Sequence, residues 1–285
     1  MTTRGIVVGL DGTAESAAAA EWAAQEALLR GTVMRLVHVM EPRPEDILHE
    51  GAPVTREKWA EDLLTRSATA LRARHAGLPV TTRLMPPSPV QGLVAAGSEA
   101  DLLVLGSRAL GRVAGSVIGS VGLSVVGRVV QPVVLVRAAG DATTHGQVLV
   151  GLDVRQPCDS VLAFAFDAAA RRQAAVNAVY TQQIPLYATL GPTVVPDMRL
   201  SVAAEIGHWL SEMMEPWQTK YPDVDATCHV VAGSAGQELV RASADADLVV
   251  VGRRTPRSPL GAHIGHVAHA VLHHSPAPVA LVPHD

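Results

Sequence analysis

The chain has 285 residues, enough for one large domain or two of ordinary size, and 48% of them are apolar but only 3% aromatic. Its formal charge of −4, with lysine only at Lys58 and Lys220, argues against a nucleic-acid-binding surface. No basic-then-apolar leader opens it and no apolar run is long enough for a bilayer, so a cytoplasmic protein without membrane partners is expected, with Cys158 and Cys228 reduced.

In chain order, Gly5–Leu10 reads as a strand, followed by a helix from about Ser16 to Arg30. That helix carries Ala19, Trp22, Ala23 and Ala27 at helical spacing and has Gly31 as its stop. Met34–Met40 is a second strand, and Pro42 and Pro44 break the chain before a helix from roughly Arg56 to His75. A strand near Pro79–Leu84 and a short helix at Val90–Gly97 come next. Leu102–Leu105 is a fourth strand, Gly106–Ser120 a glycine-rich segment, Val121–Val130 a helix and Val133–Val136 a last strand. Continuous apolar strands alternating with helices imply a parallel sheet covered on both faces.

The rest of the chain repeats this unit. Ile6-Val-Val-Gly9-Leu-Asp11 returns as Val148-Leu-Val-Gly151-Leu-Asp153, and Ala100-Asp101-Leu-Leu-Val-Leu-Gly106 returns as Ala246-Asp247-Leu-Val-Val-Val-Gly252. Pro132-Val-Val-Leu-Val136 returns as Pro278-Val-Ala-Leu-Val282 at nearly the same spacing. The expected fold class is therefore α/β, with two doubly wound, Rossmann-like parallel-sheet domains in tandem. They occupy residues 1–140 and 146–285 and join at the polar stretch Ala138–Gln147.

In such sheets ligands bind beyond the carboxyl ends of the strands, where strand order reverses. Asp11 and Gly12, Val39 and Gly106 all fall at such ends. An aspartate there accepts hydrogen bonds from a base or ribose, a strand-end backbone reads the edge of a base, and a glycine-rich segment before a helix offers N–H groups to phosphate. The plainer alternative for Asp11 is a helix cap shared with Thr13 and Ser16.

These residues resemble the universal stress protein family, in its tandem two-domain bacterial form, over essentially the whole chain. The resemblance rests on Ile6-Val-Val-Gly-Leu-Asp11-Gly-Thr, Leu36-Val-His-Val39, Ala100-Asp-Leu-Leu-Val-Leu-Gly106 and the glycine-rich segment. ATP-binding members carry Gly, two residues, Gly, nine residues, Gly, then Ser or Thr. Here Gly106, Gly119 and Ser120 match and Ala109 departs. The resemblance implies that Asp11 contacts adenine or ribose and the Val39 backbone meets adenine. It implies that Gly106 and its neighbours face ribose and phosphate, while Gly119 and the Ser120 hydroxyl hold phosphate oxygens. Gly12, Arg108, Gly111 and Val121 complete this first candidate set. In the second half, Asp153, Gly252, Gly265 and His266 are the corresponding candidates. Thr255 replaces the second glycine there, His266 replaces the Ser or Thr, Pro256 and Pro259 restrict the loop, and Arg253, Arg254 and Arg257 offer charge to phosphate instead.

Other patterns point elsewhere and carry less. His263-Ile-Gly-His266 spells a nucleotidyltransferase motif but follows a fourth strand rather than a first. His263, His266, His269 and His273 recur at near-helical intervals, where scattered surface histidines compete with a metal site. Neither a P-loop nor a Gly-x-Ser-x-Gly elbow occurs. His38 reads as a packed strand histidine, and Trp59, Trp209 and Trp217 read as core or interface packing on the second helices. The expectation is an ATP-binding regulatory or stress-response switch, with Mg2+ accompanying the nucleotide, little or slow hydrolysis and no catalytic or metal-ligating residue. A homodimer and a regulatory protein partner go with it. A nucleotide-free dimerising scaffold and a slow ATPase are the alternatives.

Overall fold

A computed structural model describes residues 4–40, 52–86, 88–107, 120–138, 144–153, 155–156, 158–182, 196–255 and 264–284. They group into two compact units, residues up to 138 in the first and residues from 144 on in the second. Pro42, Pro44 and most of the glycine-rich segment lie outside the described residues.

The first unit runs β1 Ile6–Gly9, α1 Ala14–Arg30, β2 Met34–Val39, α2 Ala52–Arg74, β3 Val80–Met85, α3 Pro89–Ser98, β4 Leu102–Gly106, α4 Ser120–Val126 and β5 Val133–Val136. Its strands are parallel in the order β3-β2-β1-β4-β5. The chain builds outward from β1 to β3 on one side and then crosses to β4 and β5 on the other. Strand order therefore reverses between β1 and β4, where open α/β sheets bind ligands.

The sequence explains the layering. Val7 and Val8 point to opposite faces of β1, and both are wholly buried, as are Leu103 and Val104 of β4. On α1, Ala19, Ala23, Ala24 and Ala27 are fully buried, so small side chains bring this helix close to the sheet. Thr13 starts α1, its side chain accepting from Ser16 N at 3.2 Å, and Gly31 ends it in the left-handed conformation at φ +60°. The last helix is shorter than the expected Val121–Val130: α4 stops at Val126, and Gly127 and Arg128 turn the chain toward Pro132 and β5.

The second unit runs β6 Gln147–Leu152, α5 Asp159–Arg172, β7 Ala175–Gln182, α6 Pro196–Lys220, β8 Ala226–Ala232, α7 Ala235–Ala242, β9 Leu248–Arg254, α8 His266–His274 and β10 Val279–His284. Its parallel order, β10-β9-β6-β7-β8, repeats that of the first unit. Phe166 is buried here, with the Trp217 and Tyr221 rings stacked against it at 6.4 and 5.9 Å between centroids. Among the described residues no helix is long and apolar enough to cross a membrane.

Candidate functional site

The first unit's strand ends are organised by one tight turn. Leu10 N donates to Val37 O at 2.8 Å, which carries the β1–β2 pairing to the last residue before the turn. Asp11 Oδ1 then accepts from Thr13 N at 3.0 Å and from Thr13 Oγ1 at 2.5 Å. The helix cap is thus Thr13, and Asp11 orients Thr13 rather than capping α1 itself. The carboxylate stays on the exposed rim of the reversal point, beside the positive end of α1.

Gly12 adopts φ +83°, a conformation that favours glycine, and a Cβ there would lie 3.2 Å from Cη2 and Cζ2 of Trp59. The Trp59 and His38 rings form a T-shaped pair, 5.5 Å between centroids and 75° between planes. His38 Nδ1 lies 2.7 Å from Leu10 O, and because a carbonyl only accepts, Nδ1 carries the hydrogen. His38 is therefore the packed, bonded strand histidine expected of it. Of the three tryptophans expected in core or interface packing, Trp217 packs against an aromatic core, while Trp59 and Trp209 are each 47% exposed and so lie outside the core.

Val39 is buried at the end of β2, and α3 approaches it so closely that a Cβ on Gly92 would lie 2.9 Å from Val39 Cγ1. Gly106 ends β4, and a Cβ there would stand 2.6 Å from Glu15 C and from Ser16 N. Ser107 follows with its backbone N donating to Val136 O at 2.7 Å. Its Oγ is buried and, among the described residues, makes no hydrogen bond. A buried polar atom without a partner is costly, and here it sits at the root of the glycine-rich segment. Ser120 and Val121 open α4, with Val121 half-buried. Arg108, Gly111 and Gly119, like Ala109, lie outside the described residues.

The second unit treats the equivalent positions differently. Asp153 accepts from both N and Nε of Arg155 at 3.1 Å, so its carboxylate is engaged by a guanidinium. A Cβ on Gly252 would meet the His284 imidazole, 2.7 Å from Cδ2 and 2.9 Å from Nε2. β9 continues two residues beyond Gly252, so Arg253 and Arg254 belong to a strand and not to a phosphate-facing loop as expected. Arg253 is buried, and burial lowers its guanidinium pKa. Thr255 then bonds back to His284 O through both N, at 2.9 Å, and Oγ1, at 3.1 Å. The strand pairing of β9 with β10 at Arg253 and Arg254 is what moves the loop's start.

Gly265 caps α8, its carbonyl accepting from His269 N at 2.9 Å, and His266 is the exposed first residue of that helix. The His269 and His273 rings lie 4.2 Å apart, yet among the described residues no three His, Cys, Asp or Glu side chains form a group that could hold a metal. Pro256, Arg257, Pro259 and His263 lie outside the described residues. Cys158, a free thiol like Cys228, is buried at the start of α5 and points its Sγ at Gln156 O, 3.2 Å, and Asp153 O, 3.4 Å. Burial pushes its pKa up.

The sequence model of the universal stress protein family matches residues 2–137 and again residues 145–283. Universal stress protein Rv2005c of Mycobacterium tuberculosis is 34% identical over 289 residues, covering 97% of this chain and 96% of its own. Universal stress protein Rv2623 of the same species is 31% identical over 290 residues, with 97% and 95% covered. Among solved structures, a universal stress protein from Archaeoglobus fulgidus superposes with a TM-score of 0.72 at 16% identity and covers 99% of both chains. That last likeness is one of fold.

Proposed function

Because this chain belongs to the universal stress protein family, with two copies of its domain in tandem, we propose that it binds ATP in the first unit's crevice and acts as a nucleotide-dependent switch in the stress response. The observation that carries this reading is the convergence at the β1–β4 reversal point. There the Asp11 turn leads into the first turn of α1, which lies against Gly106, and the next residue, Ser107, carries a buried, unbonded Oγ at the root of a glycine-rich segment. In this reading Asp11 takes the ribose end, the Val39 backbone the adenine edge, and Gly106–Ser120 the phosphates with their Mg2+. Bound ATP then changes the surface this segment presents to a protein partner or to a second copy of the chain.

The second unit is proposed to hold no nucleotide. Its aspartate is engaged by Arg155, and the His284 ring lies against Gly252. Slow or absent hydrolysis belongs to the same reading, since fast phosphoryl transfer needs a metal clamp and a positioned base. Titration with ATP, paired with a turnover assay and light scattering with and without ATP, tests the proposal. Saturable binding with turnover far below about 1 s−1 and an ATP-dependent change in assembly or partner capture is expected. Turnover at ordinary enzyme rates would overturn the switch reading.

A further inference from the structure

The strand order gives the first crevice two distinguishable ends. β2 lies on one side of β1 and β4 on the other, roughly 10 Å apart across two strand spacings. The glycine-rich segment leaves β4, so a nucleotide with its phosphates there directs its base toward the β2 side. Trp59 stands on that side. The rim of its indole lies against Gly12, just past β1, and its ring forms a T-shaped pair with His38 of β2, the two planes at 75°. His38 is itself tied to Leu10 O, so the indole has a fixed neighbour on each flank and still leaves 47% of Trp59 in solvent. An indole is among the most costly side chains to leave half in water, and its π-face stacks well on any flat heterocycle. Glycine at position 12 suits this contact, since a side chain there would strain the backbone at φ +83° and crowd the ring rim, with a Cβ at 3.2 Å. One repeat on, α6 carries Glu205 at the position of Trp59, and its exposed tryptophan, Trp209, stands one helical turn further along.

We propose that the Trp59 indole is the shelf on which the nucleotide's base stacks, making Trp59 a specificity-determining residue for aromatic bases over bare phosphates. This inference rests on the nucleotide reading above. The test measures binding of ATP and of inorganic tripolyphosphate to the full chain, the Trp59→Leu variant and the Trp59→Phe variant, with circular dichroism to compare folding. Loss of stacking on one base is expected to weaken ATP binding by about tenfold in Trp59→Leu while leaving tripolyphosphate binding unchanged. Trp59→Phe should restore most of the affinity and abolish most of the fluorescence quenching that ATP causes in the native chain. Equal ATP affinity in Trp59→Leu and the native chain would overturn the shelf and leave the nucleotide reading standing. Equal losses for ATP and tripolyphosphate would show a structural role and overturn it as well. A native chain that binds no ATP would overturn both.

Discussion

The α-carbon of Gly106 faces the backbone nitrogen of Ser16 so closely that a Cβ would stand 2.6 Å away, with no flexible side chain to yield. β4 and the first turn of α1 therefore meet only because residue 106 has no side chain. This contact brings the start of α1 and the root of the glycine-rich segment together.

The first prediction is that Gly106→Ala lowers stability by about 1–3 kcal/mol, the usual cost of forcing an extra carbon into packed structure. Gly31→Ala is the control. Gly31 has open space around it, so only its left-handed φ of +60° resists substitution, at a cost of about 1–2 kcal/mol. Urea unfolding measures both losses, and ATP titration separates the two variants. Gly106→Ala should also weaken ATP binding, and Gly31→Ala should not.

Asp11 and Thr13 make a second pair that mutation can divide. Thr13 caps α1 and Asp11 holds Thr13, so replacing either by alanine should cost about 1 kcal/mol of stability. In the proposed site only Asp11 also meets the nucleotide. Asp11→Ala should therefore lose ATP binding, while Thr13→Ala should retain measurable affinity at similar stability. Calorimetric titration beside thermal unfolding checks both halves of the statement.

The cysteines report on the second unit. Burial raises the Cys158 pKa, so its thiolate is scarce near neutral pH, whereas Cys228 is only partly buried. Iodoacetamide should modify Cys228 well before Cys158 in the folded chain, and the difference should vanish in denaturant. A raised thiol pKa favours the folded state below the ordinary thiol pKa, and that contribution is lost as pH rises through the raised value. Alkaline pH should consequently lower stability and speed labelling of Cys158 together, as mass spectrometry over a pH series would show.

Much of the fold was legible because strands covered on both faces write themselves as unbroken apolar runs. Ile6–Val8 and Leu102–Leu105 are buried throughout, and their repeats Val148–Val150 and Leu248–Val251 are too. The end of β9 was not legible, because two arginines after a glycine read as loop. Pairing with Pro283 and His284 of β10 keeps Arg253 and Arg254 in the sheet. For Trp59, expected in core or interface packing, the helical period excludes the core. The inward row of α2 is Ala60, Leu64, Ala68 and Leu71, all nearly fully buried, and Trp59 lies one position off it, about 100° around the helix. α6 repeats the lesson, with Ile206, Leu210 and Met214 inward and Trp209 one step aside. The helical period held this information, and the expectation for these tryptophans covers interface as well as core packing. For the site, Asp11 and Gly106 could be picked out by position. The division of labour between Asp11 and Thr13, and the Arg155 and His284 contacts in the second unit, depend on side-chain geometry that spacing does not encode.

In the proposed function the first unit takes ATP and the second does not, its Asp153 engaged by Arg155 and its Gly252 lying against His284. The most direct measurement denatures the purified protein, identifies any released nucleotide, and then titrates the refolded or nucleotide-stripped chain with ATP to saturation. About one ATP per chain, abolished by Asp11→Ala and unaffected by Asp153→Ala, is the expected result. Two per chain would contradict the assignment of the second unit, and neither released nucleotide nor uptake of ATP would contradict the account as a whole.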